Sequence, residues 1–457
     1  MSDYIYMLES HLSPDQNRAV AVVQGAAAQA GLNLFLTGGA MRDMLAGFRI
    51  RDLDFVVEGN ALLLAKAMTG TGATVLSTDE VRKSLTLAFP GDVTVKIGMA
   101  RREKPARNGG KPQVTQATIQ EDLRGRDFTC NAIALSLNKT SRGLLLDPLN
   151  GLADIQRREL RAANSYGFYN DPSRLLRLIR FRVRLGFAVD ERTQIQATTA
   201  REAGELAISP RILGEELRQM ASDDNPSEIL KLLEENQLLA VFSPALGGPK
   251  LNLGSIVKLE KSAKLLPDDP ASRSARLAPF LCALTEKLTA KERQALVKAT
   301  ELTKAEVAQW QKLDARSKKL ENALRSARIR KPSQVYHLVS AAAPDEVLYL
   351  FYHSSLKPVQ ERLRNHFQKY LPAVQEITAE QWSQVEGAPG SPKQQKARQE
   401  FITRLLDRRP PKPALPPDVP PAEAQPAPPP AQGSGWRAQS GTVGRRARTS
   451  QAWGGQG

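Results

Sequence analysis

Leu32-Asn-Leu-Phe-Leu-Thr-Gly-Gly-Ala-Met-Arg-Asp43 and, shortly after it, Arg51-Asp-Leu-Asp-Phe-Val-Val57 form the stretch whose reading decides the fold. The apolar run 32–37 reads as a strand that ends in Gly38-Gly39, and 52–57 reads as a second strand. Side chains alternate along a strand, so Asp52 and Asp54 fall on one face. Two carboxylates so placed repel each other unless a divalent cation lies between them, and oxygen ligands of this kind suit Mg²⁺. Taken singly, two acids on a strand also describe a solvated sheet edge, and Gly-Gly also describes a plain turn. Taken together they describe a site. Glycines after a strand let the backbone approach a phosphate. Arg42 offers a match to a triphosphate oxygen. A glycine turn facing a metal-holding carboxylate pair is an arrangement for nucleotidyl transfer.

Working outward, residues 14–30 read as a helix that opens at Ser13-Pro14 and stops at Gly31. Thr74–Leu76, Ser84–Phe89, Val93–Ile97, Asn131–Leu137 and the run to Leu146 are further strand candidates. The pattern is α+β with a mostly antiparallel sheet rather than a regular βαβ repeat. From about residue 152 strand signals vanish. Residues 171–187, 211–221, 226–240 and 274–311 carry helical spacing, and 317–370 continue in the same style. The expected organisation is a mixed head over 1–152, an all-α neck over 153–222, a body over 223–366 and a tail domain over 367–407. Between 410 and 430 lie 11 of the 30 prolines, so 408–457 reads as a disordered, Pro/Ala-rich basic tail.

Composition excludes several classes. The hydrophobic share of 41% is enough for packed cores, and no apolar run reaches the length of a membrane span. No signal peptide is visible, so the cytoplasm is the expected location. Cys130 and Cys282 lie far apart without ligand companions, which argues against a disulfide scaffold and a zinc cluster. The net charge of +16 favours a polyanionic partner. That surplus has an address: 94–126 is net +5, 157–184 net +6 and 408–457 net +5.

The opening stretch resembles the head of the class II tRNA nucleotidyltransferase (CCA-adding enzyme) and bacterial poly(A) polymerase family, within the polymerase-β-like superfamily. Further blocks match in order. Asp122-Leu-Arg-Gly-Arg-Asp-Phe-Thr-Cys-Asn-Ala132 resembles the family's R-R-D-F-T-x-N-A. Asp147-Pro-Leu-Asn-Gly151 with Asp154 resembles D-P-x-x-G-x-x-D. Asp171-Pro-Ser-Arg-Leu-Leu-Arg177 with Arg180-Phe181 resembles the E-D-x-x-R helix, and Ser209–Leu217 the block closing the conserved half. The resemblance implies a polymerase-β-like head and a template-independent enzyme. Such an enzyme adds or repairs the 3′-terminal CCA of tRNA from CTP and ATP, with Mg²⁺ held by Asp52 and Asp54 in a two-metal site. A CC-adding or A-adding specialist, a poly(A) polymerase and a weakened RNA-binding protein are the alternatives.

The resemblance also implies roles for other residues. Gly38, Gly39 and Arg42 lie on the triphosphate side. Arg126, Asp127 and Asn131 shape the nucleotide pocket. Asp171 and Arg174 act as a protein template for the base edge, while Arg177 and Arg180 face phosphates. Asp147 and Asp154 carry an equally good reading as caps and turn formers. Three positions depart from the family pattern: Gly125 where an arginine is expected, Asn170 where a glutamate is expected, and Lys96 about where relatives place an acid.

Overall fold

The computed structural model describes residues 3–408 apart from 69, 105–112, 205 and 388–390. The basic tail expected over 408–457 thus lies, from 409 on, outside the described residues. Helix α1 spans Asp3–His11 and α2 spans Pro14–Gln29. Ser13 opens α2 with a reciprocal box: its hydroxyl accepts from the Gln16 N–H, and its own N–H donates to Gln16 Oε1. Gly31 ends that helix at φ +68°. Strand β1 (Asn33–Thr37) then runs into Gly38, whose φ of +62° suits a residue without Cβ. The two glycines are not a loop, as their sequence suggests. They are the first turn of helix α3 (Gly38–Leu45).

The remaining strands are β2 (Leu53–Glu58), β3 (Thr74–Asp79), β4 (Ser84–Phe89), β5 (Val93–Met99), β6 (Arg101–Lys104), β7 (Gln113–Gln116), β8 (Ala134–Ser136) and β9 (Leu145–Leu146). Seven of them form one sheet in the order β3-β4-β5-β2-β1-β8-β9. Every neighbouring pair in it is antiparallel except β2 with β5. Alternation sorts the two faces. Leu53, Phe55 and Val57 of β2, Val95 and Ile97 of β5, and Leu85 and Leu87 of β4 join the main core against α1 and α2. Asp54 shares the opposite face with Val56, which packs in a small second cluster with Phe35, Ala100 and Leu123. The opposite face is therefore free to carry chemistry.

Short helices follow: α4 (Leu63–Ala67), α5 (Ile119–Arg124), α6 (Gly151–Arg157) and α7 (Gly167–Asn170). The longer α8 (Ser173–Leu185), α9 (Glu191–Glu202), α10 (Pro210–Ser222) and α11 (Pro226–Glu235) continue the chain. One sequence expectation changes here. Two-residue strands at Glu159–Leu160 and Ala188–Val189 form a small parallel pair, too short to leave a periodic signal. The region 274–311 is also broken into helices Leu277–Leu284, Ala290–Ala299 and the long Lys304–Arg325. The breaks sit at Thr289 and Thr303, each boxed with a glutamate three residues on, a start signal written in the sequence. One continuous apolar core runs from the sheet through these helices, and the chain up to Asp407 is one compact unit.

Candidate active site

Asp54 lies on β2, and Asp52 precedes the first ladder residue, Leu53. The space beside Asp54 is set by the start of α3. A Cβ built on Gly38 or Gly39 would lie 3.8 or 3.6 Å from Asp54 Oδ2. Side chains there would crowd the room between helix start and carboxylate, so the glycines keep a cradle open. The Arg126 guanidinium borders the same space, 3.9 Å from the Gly38 Cβ position. Asp122 holds Arg126 by accepting from its Nε and Nη2 at 3.0 and 2.6 Å.

Lys96 stands directly opposite Asp54 in the parallel β2–β5 register, with Thr86 opposite it on β4. The three side chains share a face. Burial lifts the Asp54 carboxyl above its ordinary range; Lys96 opposes the rise and Asp52 adds to it. Lys96 is held above the ordinary lysine range chiefly by Asp54. Among the described residues its ammonium makes no hydrogen bond or ion pair.

A second layer joins α3, the Arg126–Asn131 segment and α8. Arg42 is only 3% exposed and donates to Asp43 Oδ1 and, at 2.8 Å, to Asn131 Oδ1. It also stacks 4.9 Å over the Phe181 ring. Asn131 donates to Asp127 Oδ1 at 2.9 Å. Arg177 donates to the other Asp127 oxygen at 3.0 Å and to Asp171 at 2.5 Å. Burial pushes the Asp127 carboxyl upward, but Arg177, Asn131 and Arg174 outweigh it and hold it below its ordinary value. Arg174 donates from Nη1 to the Arg126 carbonyl at 2.9 Å and from Nη2 to the Gly125 carbonyl at 3.0 Å. Its Nε lies 3.6 Å from Asp171 Oδ2.

Ten of the sequence-predicted residues therefore gather at one site: Asp52, Asp54, Gly38, Gly39, Arg126, Asp127, Asn131, Asp171, Arg174 and Arg177. The other two are Arg42 and Arg180. Arg42 is buried and held by Asp43 and Asn131, and its Nη2 lies 3.6 Å from the Gly39 Cβ position, beside the same cradle. Arg180 stands on another side of α8. Six residues beyond Arg174 at 3.6 residues per turn, it lies about 120° around the helix. There it pairs with Glu216 at 3.1 Å and is buried. Asp147 and Asp154 take their structural reading: Asp147 caps α6 through the N–H groups of Gly151 and Leu152, and Asp154 accepts from Thr129 Oγ1 at 2.7 Å. Cys130 is buried and its thiol is pushed up to about 12, as for an inert core residue. Residue-by-residue reading missed Asp43, Glu216 and Ser173, whose hydroxyl accepts from Arg177 Nη2 at 3.0 Å, as braces. Asp43 and Glu216 stand inside the quoted motifs, where their polarity against an apolar helical pattern is the available signal.

The two carboxylates fit a divalent cation. Both are hard oxygen donors beside an open cradle. Among the described residues no cluster of three or more acidic, His or Cys side chains could enclose a metal. A cation at Asp52 and Asp54 would thus leave coordination positions for phosphate oxygens and water.

A mixed sheet with this carboxylate pair, a glycine helix start and a following helical layer defines a polymerase-β-like nucleotidyltransferase head. Residues 34–161 match the Poly A polymerase head domain family. The CC-adding tRNA nucleotidyltransferase of Deinococcus radiodurans is 30% identical over 273 residues, 59% of this chain and 70% of that protein. The A-adding tRNA nucleotidyltransferase of Aquifex aeolicus is 36% identical over 209 residues, 46% of this chain and 25% of that one. The Multifunctional CCA protein of Aliivibrio salmonicida is 33% identical over 221 residues, 47% of this chain and 51% of that protein. The chain belongs to the class II tRNA nucleotidyltransferase family. The match spans between a quarter and about six-tenths of the length of the first three curated relatives. Among solved structures, a CCA-adding enzyme in an apo form shares the fold with a TM-score of 0.52 at 22% identity, over 89% of this chain and 95% of that one.

Proposed function

We propose that this protein adds or repairs the 3′-terminal CCA of tRNA, using CTP and ATP. The observation that carries the reading is the convergence of Asp52–Asp54, the Gly38–Gly39 helix start and the Asp171–Arg174–Arg177 helix around one open cradle. The RNA 3′-hydroxyl oxygen bonds to the α-phosphorus of the nucleotide. The bond to the β-phosphate oxygen breaks, pyrophosphate leaves with the electron pair, and the hydroxyl proton passes to solvent. Asp52 and Asp54 would hold Mg²⁺, which supplies positive charge to the reacting phosphate oxygens. The α3 N–H groups and Arg126 line the phosphate side. Asp127 and Asn131, braced by Arg42, fix the pocket wall. Asp171 offers acceptors and Arg174 donors to the base edge. Each terminal nitrogen of Arg174 keeps a second N–H beyond those given to the Gly125 and Arg126 carbonyls. Positioning and charge neutralisation carry the catalysis, since no histidine stands among these residues.

We assign 1–152 to the catalytic head, 153–222 to a neck that reads the nucleotide, and 223–366 with 367–407 to a body and tail that clamp the acceptor arm by shape and phosphate contacts. No helix among the described residues is long and apolar enough to cross a membrane, and we place the protein in the cytoplasm.

The relatives carry A-adding, CC-adding and multifunctional names, so one assay decides among these and poly(A) synthesis. The protein is incubated with tRNA transcripts ending before CCA, after C and after CC, and with an unrelated RNA, supplying CTP and ATP separately and together. With both nucleotides present, completion of all three tRNAs is expected. Extension of the CC-ending transcript alone, growth that stops at CC, or long A tracts on unrelated RNA would each replace the reading by the matching alternative. No extension of any substrate would leave only RNA binding.

A further inference from the structure

Asp52 has an unusual support. It lies outside the β2 ladder, which begins at Leu53, so sheet hydrogen bonds do not fix it. On its N-terminal side Ile50 is buried and its carbonyl accepts from Gln16 Nε2 at 3.1 Å. Between these fixed points stands Arg51, which reaches the turn joining α10 to α11. Its Nη2 lies 2.7 Å from Asp224 Oδ2 and its Nη1 3.5 Å from Asp223 Oδ1. Arg273 and Arg276 hold Asp224 from the other side at 3.3 and 3.4 Å. Asp223 is 3% exposed, and its second oxygen lies 3.6 Å from Arg180 Nη1. The contacts continue without a gap. Arg180 pairs with Glu216 at 3.1 Å, Glu216 lies 3.8 Å from Arg177, and Arg177 binds Asp127 and Asp171.

We propose that Arg51 is a positioning residue for Asp52, and that its clamp on Asp223 and Asp224 ties the approach to the catalytic strand to the nucleotide-reading helix α8. The proposal rests on the reading of Asp52 and Asp54 as the metal-holding pair. Two features favour a positioning role over a simple surface ion pair. Arg51 bridges two acids whose other partners are fixed, so its guanidinium has one place to sit. It is also covalently adjacent to the carboxylate whose location matters. The neighbouring Arg49–Asp268 pair, at 3.7 Å with side chains 67% and 51% exposed, lacks both features and serves as the comparison.

Removing Arg51 strands no charge: Asp223 keeps Arg180, and Asp224 keeps Arg273 and Arg276. Arg51→Ala is therefore expected to fold, with a thermal midpoint near that of the parent. The full chain and its Arg51→Ala, Arg51→Lys, Arg49→Ala and Asp52→Ala variants are assayed for kcat, for KM of CTP and ATP, and for the Mg²⁺ concentration giving half-maximal rate. A misplacement near 1 Å costs on the order of a hundredfold in rate. Arg51→Ala should thus lose ten- to a hundredfold in kcat and require several times more Mg²⁺, with KM for the nucleotides within twofold. Arg51→Lys should recover part of the loss, and Arg49→Ala should stay within twofold of the parent. A kcat for Arg51→Ala within twofold of the parent, or an effect confined to KM, overturns the positioning role if Asp52→Ala is inactive. An active Asp52→Ala overturns the catalytic reading itself, and the proposal with it.

Discussion

Replacing Lys96 by methionine removes a charge from the face that Asp54 occupies while keeping an unbranched side chain only one atom shorter. In-register residues on neighbouring strands share a face, and strands lie about 4.8 Å apart, so the Asp54 and Lys96 charges stand about 6 Å from each other. Lys96 is exposed, and an effective dielectric of about 40 lies between the usual surface value and water. Each unit of charge at that distance is then worth about 1.4 kcal/mol, or about tenfold in a binding constant. A divalent cation held by Asp52 and Asp54 meets twice that repulsion, which salt screening reduces. Lys96→Met should therefore lower the half-activating Mg²⁺ concentration about tenfold or more, and Lys96→Asp should lower it further. The assay is nucleotide addition to a CC-ending tRNA across a Mg²⁺ titration at mildly alkaline pH, paired with direct Mn²⁺ binding followed by electron paramagnetic resonance. Unchanged metal affinity by both readouts would show that Lys96 does not face the cation, and would remove the charge argument made from the register.

Arg174→Ala is expected to lower discrimination between CTP and ATP by tenfold or more, measured as the ratio of kcat/KM values, since a bidentate base contact is worth about 1–3 kcal/mol; an unchanged ratio would sink the template role. Gly151→Ala places a Cβ 2.1 Å from the Thr129 carbonyl oxygen, a backbone atom that cannot swing away. It should cost about 3 kcal/mol or more, and a parent-like thermal midpoint would contradict that close approach. Burial holds His366 down to about 4. The neutral ring is favoured in the fold, so its contribution is whole above the unfolded value of about 6.5 and is lost as pH falls toward 4. The loss amounts to roughly 3 kcal/mol. Urea denaturation of His366→Phe should show a shallower decline between pH 6.5 and 4; an identical decline would place the acid sensitivity elsewhere.

How much of this was legible beforehand depends on what kind of information each feature needs. The face of Asp54 was readable because strand periodicity is local, whereas Asp52 stands just before the ladder, where strand spacing does not fix its direction. The start of α2 was readable because Ser13, Pro14 and Gln16 write a cap within four residues. Gly38-Gly39 was half readable. The sequence shows that the chain turns after β1, while the outcome, a helix rather than a loop, depends on α3 burying Ala40, Met41 and Met44 against the core. Two arginines show the limit most clearly. Arg174, Arg177 and Arg180 look equivalent as a basic stripe, yet only the packing of α10 decides that Arg180 turns to Glu216. For Arg42, nothing local announces that Asn131, 89 residues later in the chain, takes one of its terminal nitrogens. Contacts at that separation leave no periodic trace.

The three departures from the family pattern resolve differently for the same reason. Asn170 is exposed, and among the described residues its side chain makes no hydrogen bond, so it cannot orient Arg174. That task falls to main-chain carbonyls at Gly125 and Arg126, which any side chain at 125 would also present. The loss of a carboxylate at 170 is thus compensated by backbone. At 125 the expected positive charge is missing: Arg124 is exposed and joins no ion pair among the described residues, while Arg126 and Arg42 border the cradle, 3.9 Å from the Gly38 and 3.6 Å from the Gly39 Cβ position. Lys96 is different in kind. It puts positive charge in register with Asp54, on the face where a cation would bind, and no described acidic side chain completes a cluster there. Of the three, only Lys96 changes the charge on the face that Asp54 occupies, so its substitution is the one expected to change cation affinity most.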